Sequence, residues 1–298
     1  MQVNFIKYQY NCNSVNSVTP SFRGNPSTMQ EKIDILLSEC KKLLESKKNL
    51  GIQEFEAIIK KISPTTKVKA FSEIPAGSNV SPRTCAYFSQ KTDINLHSNE
   101  MICKDKVIYL NFNNNTTELS RIKLISDFVH EAVHIAQEES IDRTPVTDFT
   151  KEVLYRSSSI EQKADSLRGS VQGFNSVEYN VVLPLIQAMK KTNDLPSRIQ
   201  SADRDLLDMM YQNKTGLNTS GYIKSVTKYI IGQLKTVCPN ADEKFILKYV
   251  SEKVKQEKEA YTVSLYFLKD VLKIDGDTDL DLRLLLYEQF QKTIDGMI

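Results

Sequence analysis

Between Asn115 and Ser140 the chain repeats apolar residues at helical spacing, and inside that stretch it reads His130-Glu131-Ala132-Val133-His134. Residues four apart in an α-helix stand one turn above each other, so this spacing offers two imidazole nitrogens to a single ion. Glu131 falls on the neighbouring edge of the same face. A carboxylate there can take a proton from a water polarised by the metal and pass it to a leaving amine. Leu119, Ile122, Ile125 or Ser126, Val129, Val133 and Ala136 mark the face expected to be buried. The plain alternative is a solvated helix face that happens to carry a histidine pair. Two features count against it. The chain holds only three histidines, and the residues between and after this pair, Ala132, Val133 and Ile135, are uncharged. The third histidine, His97, stands in a polar loop and reads as a free surface residue.

The elements around this helix predict an α+β fold. Residues 1–28, rich in Asn, Ser, Thr and Pro, read as a flexible arm. Residues 29–63 carry two amphipathic helices. Ile33, Leu36, Leu37, Cys40, Leu43 and Leu44 form the apolar face of the first, and Ile52, Phe55, Ile58, Ile59 and Ile62 that of the second, which ends at Ser63-Pro64. From 64 to 172 a core is expected. Its strands are TTKVKAF, TCAYFSQ and KVIYLNFN, short and β-branched or aromatic, forming a small, mostly antiparallel sheet against the His-Glu-x-x-His helix. Residues 173–298 read as a large all-helical part, with helices near 176–191, 197–213, 220–237, 242–273 and 279–296.

A catalytic zinc needs a third protein ligand and one open position. No third histidine follows the motif, so a glutamate is the remaining common solution. RSSSIEQKADSLRG supplies Glu161 followed by Ala164-Asp165. With HEAVH and EQKAD together the chain resembles the gluzincins, zinc metallopeptidases in which His-Glu-x-x-His on one helix is completed by a glutamate on a second. The resemblance spans about residues 65–172; Asp127 departs from the Val or Thr usual three positions before the first histidine. It implies Zn2+ held by His130, His134 and Glu161, Glu131 as general base, and Asp165 hydrogen-bonded to a ligand imidazole. It also implies a zincin-like sheet whose strand before the helix, KVIYLNFN, offers an open edge to an extended peptide. A Tyr or His usually stabilises the oxyanion, and Tyr155 is one candidate. Two alternatives stay open. Ser158-Ser159-Ile160-Glu161 also fits a capping box, in which Glu161 caps its own helix. QEKEAY places Glu259 before Ala260-Tyr261 on a later helix, a second possible source of the third ligand.

Composition narrows the function further. A net charge of +2 over 298 residues, with no basic stripe, argues against a nucleic-acid partner. No apolar run is long enough to span a membrane, and the first residues lack the pattern of a signal peptide, so a cytoplasmic, membrane-free protein is expected. Five scattered cysteines with no CxxC fit buried thiols in a reducing compartment. Cys12 in the arm has nothing to position it as an inhibitory thiolate. DTDLDLRLLLYE imitates an EF-hand loop but puts Leu282 where the sharp turn needs Gly. The expectation is therefore a zinc-dependent hydrolase of peptide bonds acting on a peptide or protein. The other reading is a zincin-shaped scaffold whose metal is structural or absent. Glu131 separates the two, since a structural site has no use for that carboxylate. Oligomeric state is not legible in the sequence.

Overall fold

The computed structural model describes residues 28–46, 50–75, 85–95, 100–113, 117–140, 241–274 and 278–298, with a few helical positions between 224 and 239. Helix α1, Met29–Glu45, starts at a capping box. Thr28 Oγ1 accepts from the Glu31 N–H at 3.2 Å, and Glu31 Oε2 accepts from the Thr28 N–H at 3.1 Å. Its expected apolar face is buried at Ile33, Leu36, Leu37, Cys40 and Leu43. Helix α2, Ile52–Ile59, buries Phe55, Ile58 and Ile59 and winds down through Ile62 before Pro64.

Three strands follow: β1 Lys67–Ala70, β2 Ala86–Asn95 and β3 Glu100–Leu110. Their order in the sheet is β1-β3-β2. β3 pairs parallel with β1 and antiparallel, over a longer ladder, with β2. The strand just before the helix is thus the middle strand. KVIYLNFN does not offer the open edge that the resemblance implied, because both of its edges are paired. Among the described residues the sheet edges are β1 and β2. The sheet is mixed, and β2 and β3 extend well beyond the short strands read from sequence. Near the middle of the hairpin the register slips between Ser89 and Lys91, and Asp105 on β3 takes φ 50°. Aspartate tolerates this left-handed conformation better than most residues, so it suits an extra residue in one strand.

Helix α3, Glu118–Glu139, is capped by Thr117, whose Oγ1 accepts from the Ser120 N–H at 3.1 Å. Leu119, expected on the buried face, is 74% exposed. It sits in the first turn, before the helix reaches the core. From Leu124 onward burial spreads round most of the helix and takes in Phe128, Val129, Ala132, Val133, Ile135 and Ala136. The C-terminal end of α3 is tied down by polar groups from three other places. Lys32 of α1 donates to the Glu139 carbonyl at 3.0 Å, and Lys106 of β3 reaches Glu139 Oε1 at 2.6 Å. Ser63 donates to the same oxygen at 2.9 Å. Two lysines at a helix C-terminus also oppose its partial negative charge.

Helix α4, Glu243–Tyr266, begins at Asp242, which accepts from the Phe245 N–H at 2.6 Å, and ends in a π-helical turn, Phe267–Val271. Helix α5 is Thr278–Asp295. One hydrophobic cluster unites α1, α2, all three strands, α3 and the second half of α4. Phe55 of α2 meets Phe128 of α3 edge-on, ring centres 4.8 Å apart, at its middle. The described part is thus α+β, with a three-stranded sheet and mostly helical content. No helix in it is long and apolar enough to cross a membrane.

Candidate metal centre

Helices α3 and α4 run antiparallel. Ser264 Oγ donates to the Ser126 carbonyl at 3.3 Å near one end of the contact, and Gln137 Nε2 donates to the Gln256 carbonyl at 3.0 Å near the other. The buried stripe of α4 is Gln256, Ala260, Val263 and Phe267, spaced by four, three and four residues. Glu257 and Tyr261 lie on one flank of this stripe and Glu259 on the other. That phase decides which glutamate meets the histidines.

It is Glu257. His130 Nε2 and His134 Nε2 are 3.2 Å apart. One oxygen of Glu257 is 3.4 Å from His130 Nε2 and the other is 3.4 Å from His134 Nε2. These side chains are little exposed, at 12%, 11% and 21% for His130, His134 and Glu257. Among the described residues this is the group of three that could hold a metal ion. The two imidazoles therefore do not sit on a solvated face.

The tautomer of His134 follows from its neighbours. Gln137 Nε2 donates to two pure acceptors, the Gln256 carbonyl at 3.0 Å and Glu259 Oε2 at 2.9 Å. The Gln137 amide is therefore turned with Oε1 towards His134 Nδ1, 3.0 Å away. An amide oxygen only accepts, so Nδ1 carries the hydrogen and the Nε2 lone pair of a neutral ring faces His130 and Glu257. His130 Nδ1 is buried and has no hydrogen-bond partner among the described residues. The ring of His130 instead lies against Tyr261, centres 4.3 Å apart.

Electrostatics describe a pocket that wants a cation. Burial alone would raise the Glu257 carboxyl, but the imidazoles of His134 and His130 hold it well below the usual carboxylate range. Burial alone would pull the His134 imidazole down, yet the charge and hydrogen bond of Glu257, with Glu131 and Gln137, hold it up at about 9. A divalent cation bound there would compete with the proton for the His134 imidazole.

Glu131 stands beside this group and also touches the sheet. Its Oε2 accepts the Phe88 N–H of β2 at 3.1 Å. Cys85 and Asn111 form a hydrogen-bonded pair, and Phe88 lies opposite Ile108, so the Phe88 N–H points away from β3, to the side of β2 that pairs with no strand among the described residues. Burial raises the Glu131 carboxyl above its ordinary value, opposed by the two imidazoles. One turn before His130, Asp127 pairs with Lys123 at 3.5 Å. Burial, and then the charge of Asp127, push the nearby Cys85 thiol up to about 11, far from a reactive thiolate.

Sequence reasoning singled out His130, Glu131 and His134, and the structure brings them together. It places Glu259 on Gln137, behind His134, and not among the converging ligand atoms. Glu161, Asp165, Tyr155, His97 and Cys12 lie outside the described residues. The residues that sequence reasoning missed are Glu257, Tyr261 and Gln137. No sequence signal singled out Glu257, because Glu252, Lys253 and Glu259 border the same apolar stripe. Comparisons with protein-family models, with curated proteins and with solved structures find no match.

Proposed function

We propose that the chain is a zinc-dependent hydrolase of peptide bonds, with His130, His134 and Glu257 as protein ligands and Glu131 as general base. The observation that carries this reading is the convergence of two Nε2 atoms and a carboxylate beside a glutamate that serves no ligand role. Ligand atoms about 2.0–2.1 Å from a tetrahedral zinc lie roughly 3.4 Å from one another. Here the two Nε2 atoms are 3.2 Å apart, and each lies 3.4 Å from a different oxygen of Glu257, so the imidazole pair matches this spacing and the carboxylate lies within reach of both. Two imidazoles and one carboxylate also leave one tetrahedral direction open for water or substrate. Bound there, zinc would polarise the scissile carbonyl and lower the pKa of water. Glu131, its proton affinity raised by burial, would then accept a proton from that water and pass it to the departing amine, and Gln137, bonded to His134 Nδ1, would keep the Nε2 lone pair turned to the ion. The open edge of β2, whose Phe88 N–H reaches Glu131, is where an extended peptide would lie. A zincin-like relation of sheet and helix belongs to the same proposal.

The test begins with elemental analysis of purified protein. About one zinc per chain is expected for the wild type, with a loss of at least tenfold in occupancy for His134→Ala and Glu257→Gln. Glu161→Ala is measured alongside: if it empties the site and Glu257→Gln does not, the third ligand is Glu161. A wild type that carries iron would redirect the chemistry, since the same donor set suits non-haem iron. One that neither carries nor takes up any metal would return the protein to the scaffold reading. Glu131→Gln should keep its zinc and lose about 10²–10⁴-fold in cleavage of an unstructured fluorogenic protein substrate.

A further inference from the structure

The two histidines are held in different ways. His134 is fixed by a hydrogen bond from Nδ1 to Gln137, which Glu259 and the Gln256 backbone hold in turn. His130 has no such bond among the described residues, although its Nδ1 is buried. A ligand imidazole without a fixed second nitrogen is free to rotate about its Cβ–Cγ bond, and metal affinity falls with that freedom.

What limits His130 is aromatic packing, and it comes from the far end of the chain. Tyr261 of α4 sets its ring 4.3 Å from the His130 ring, tilted by 47°. Behind it stands Tyr287 of α5, ring centres 5.4 Å apart, itself buried. Arg283, one turn earlier on α5, places its guanidinium carbon 5.9 Å from the centre of the Tyr261 ring and donates to the Tyr261 hydroxyl at 3.4 Å. Tyr261 is thus pressed from one side by a buried aromatic ring and gripped at its hydroxyl by a cation. The imidazole of His130 packs against the same ring. Aromatic contacts of this kind stabilise a ring's orientation beyond the area they bury. They bias the orientation of a ring whose alternatives are otherwise close in energy.

We infer that Tyr261 is the positioning residue for His130, held in place by Arg283 and Tyr287, so that the last helix of the chain sets how tightly the first ligand grips the metal. The inference rests on the metal-centre reading above but makes a prediction that holds without any ion. Its physical content is that the ring matters and the hydroxyl matters less. Tyr261→Phe keeps the ring against His130 and against Tyr287. Tyr261→Leu removes it.

The test uses the full chain and two readouts. In metal-free protein, long-range 1H–15N spectra of the imidazoles contain signals from only three histidines, which His130→Ala and His134→Ala assign. Tyr261→Leu should shift and broaden the His130 ring signals while leaving those of His134 in place, and Tyr261→Phe should leave both near their wild-type positions. The second readout is zinc affinity by chelator competition, with the cobalt(II)-substituted protein followed by its visible spectrum. Tyr261→Leu should weaken binding by about 10–100-fold, the range for loss of a group that orients a ligand. Tyr261→Phe should stay within about threefold of wild type, and Arg283→Met should fall between the two. Unchanged His130 signals in a folded Tyr261→Leu protein would overturn the inference, whatever the metal does. If the wild type takes up no metal, the spectra still decide the role of Tyr261 and only the enzyme reading falls. If Tyr261→Phe loses affinity as severely as Tyr261→Leu, the hydroxyl and not the ring is responsible, and the positioning role as stated is wrong.

Discussion

Glu257 and Glu259 stand two residues apart on one helix and face different partners, one the imidazoles and the other Gln137. The difference makes a residue-scale prediction. Glu257→Gln removes a ligand charge and should abolish stoichiometric zinc in elemental analysis. Glu259→Gln leaves all ligand atoms in place and only loosens the amide that fixes His134, so it should weaken zinc binding about 10-fold, measured by chelator competition, without emptying the site. Equal losses in the two variants would mean that Glu259 is itself a ligand. His130, Glu131 and His134 were legible in the sequence because their relation is local: a helix of any provenance puts residues four apart on one face. The carboxylate beside them was not: the sequence pointed to Glu161, which lies outside the described residues, and on α4 to Glu259, whereas Glu257, two residues earlier, meets the imidazoles. Only the rotation of α4 about its own axis chooses between Glu257 and Glu259.

At the scale of elements, α3 carries His130, Glu131 and His134, and the neighbouring elements hold it in place. Its buried face is anchored by Phe128 against Phe55, and its C-terminal end by Lys32, Lys106 and Ser63 around Glu139. Phe128→Ala should destabilise the fold by about 3–5 kcal/mol, read as a lower urea midpoint with an unchanged slope. Replacing Glu139 with Gln should cost less, about 1–3 kcal/mol, because Lys106 loses a charged partner while Lys32 keeps the Glu139 carbonyl. Helices α1, α2 and α3 and most of their apolar faces could be read from periodicity. The sheet could not. Its strand order depends on which edges are covered, and that is a long-range fact: β1 enters beside β3 from outside the hairpin, which turns the expected edge strand into the middle one.

Across the molecule, the centre is assembled from α3 and α4, whose facing residues are separated by more than a hundred positions in the chain, with α5 packed behind. A metal that binds only the assembled centre should therefore stabilise the whole fold. At a free zinc concentration one hundred times Kd, unfolding should be about 2.7 kcal/mol harder, seen as a chelator-reversible rise in thermal midpoint. The Glu257→Gln protein should show no such rise. A zinc effect of equal size in that variant would place the stabilising site elsewhere. The sequence alone determined α1, α2 and α3 and most of their buried faces, the existence of strands between residues 65 and 113, and the pairing of His130 with His134 across one turn, while the helices expected at 176–191 and 197–213 lie outside the described residues. All of these are set by side-chain period and by hydrogen bonds to near neighbours. The tertiary structure decided the strand order, the carboxylate that completes the group, and the ring that steadies His130. Each of these depends on how one element turns to face another, and packing between residues distant in sequence sets that rotation.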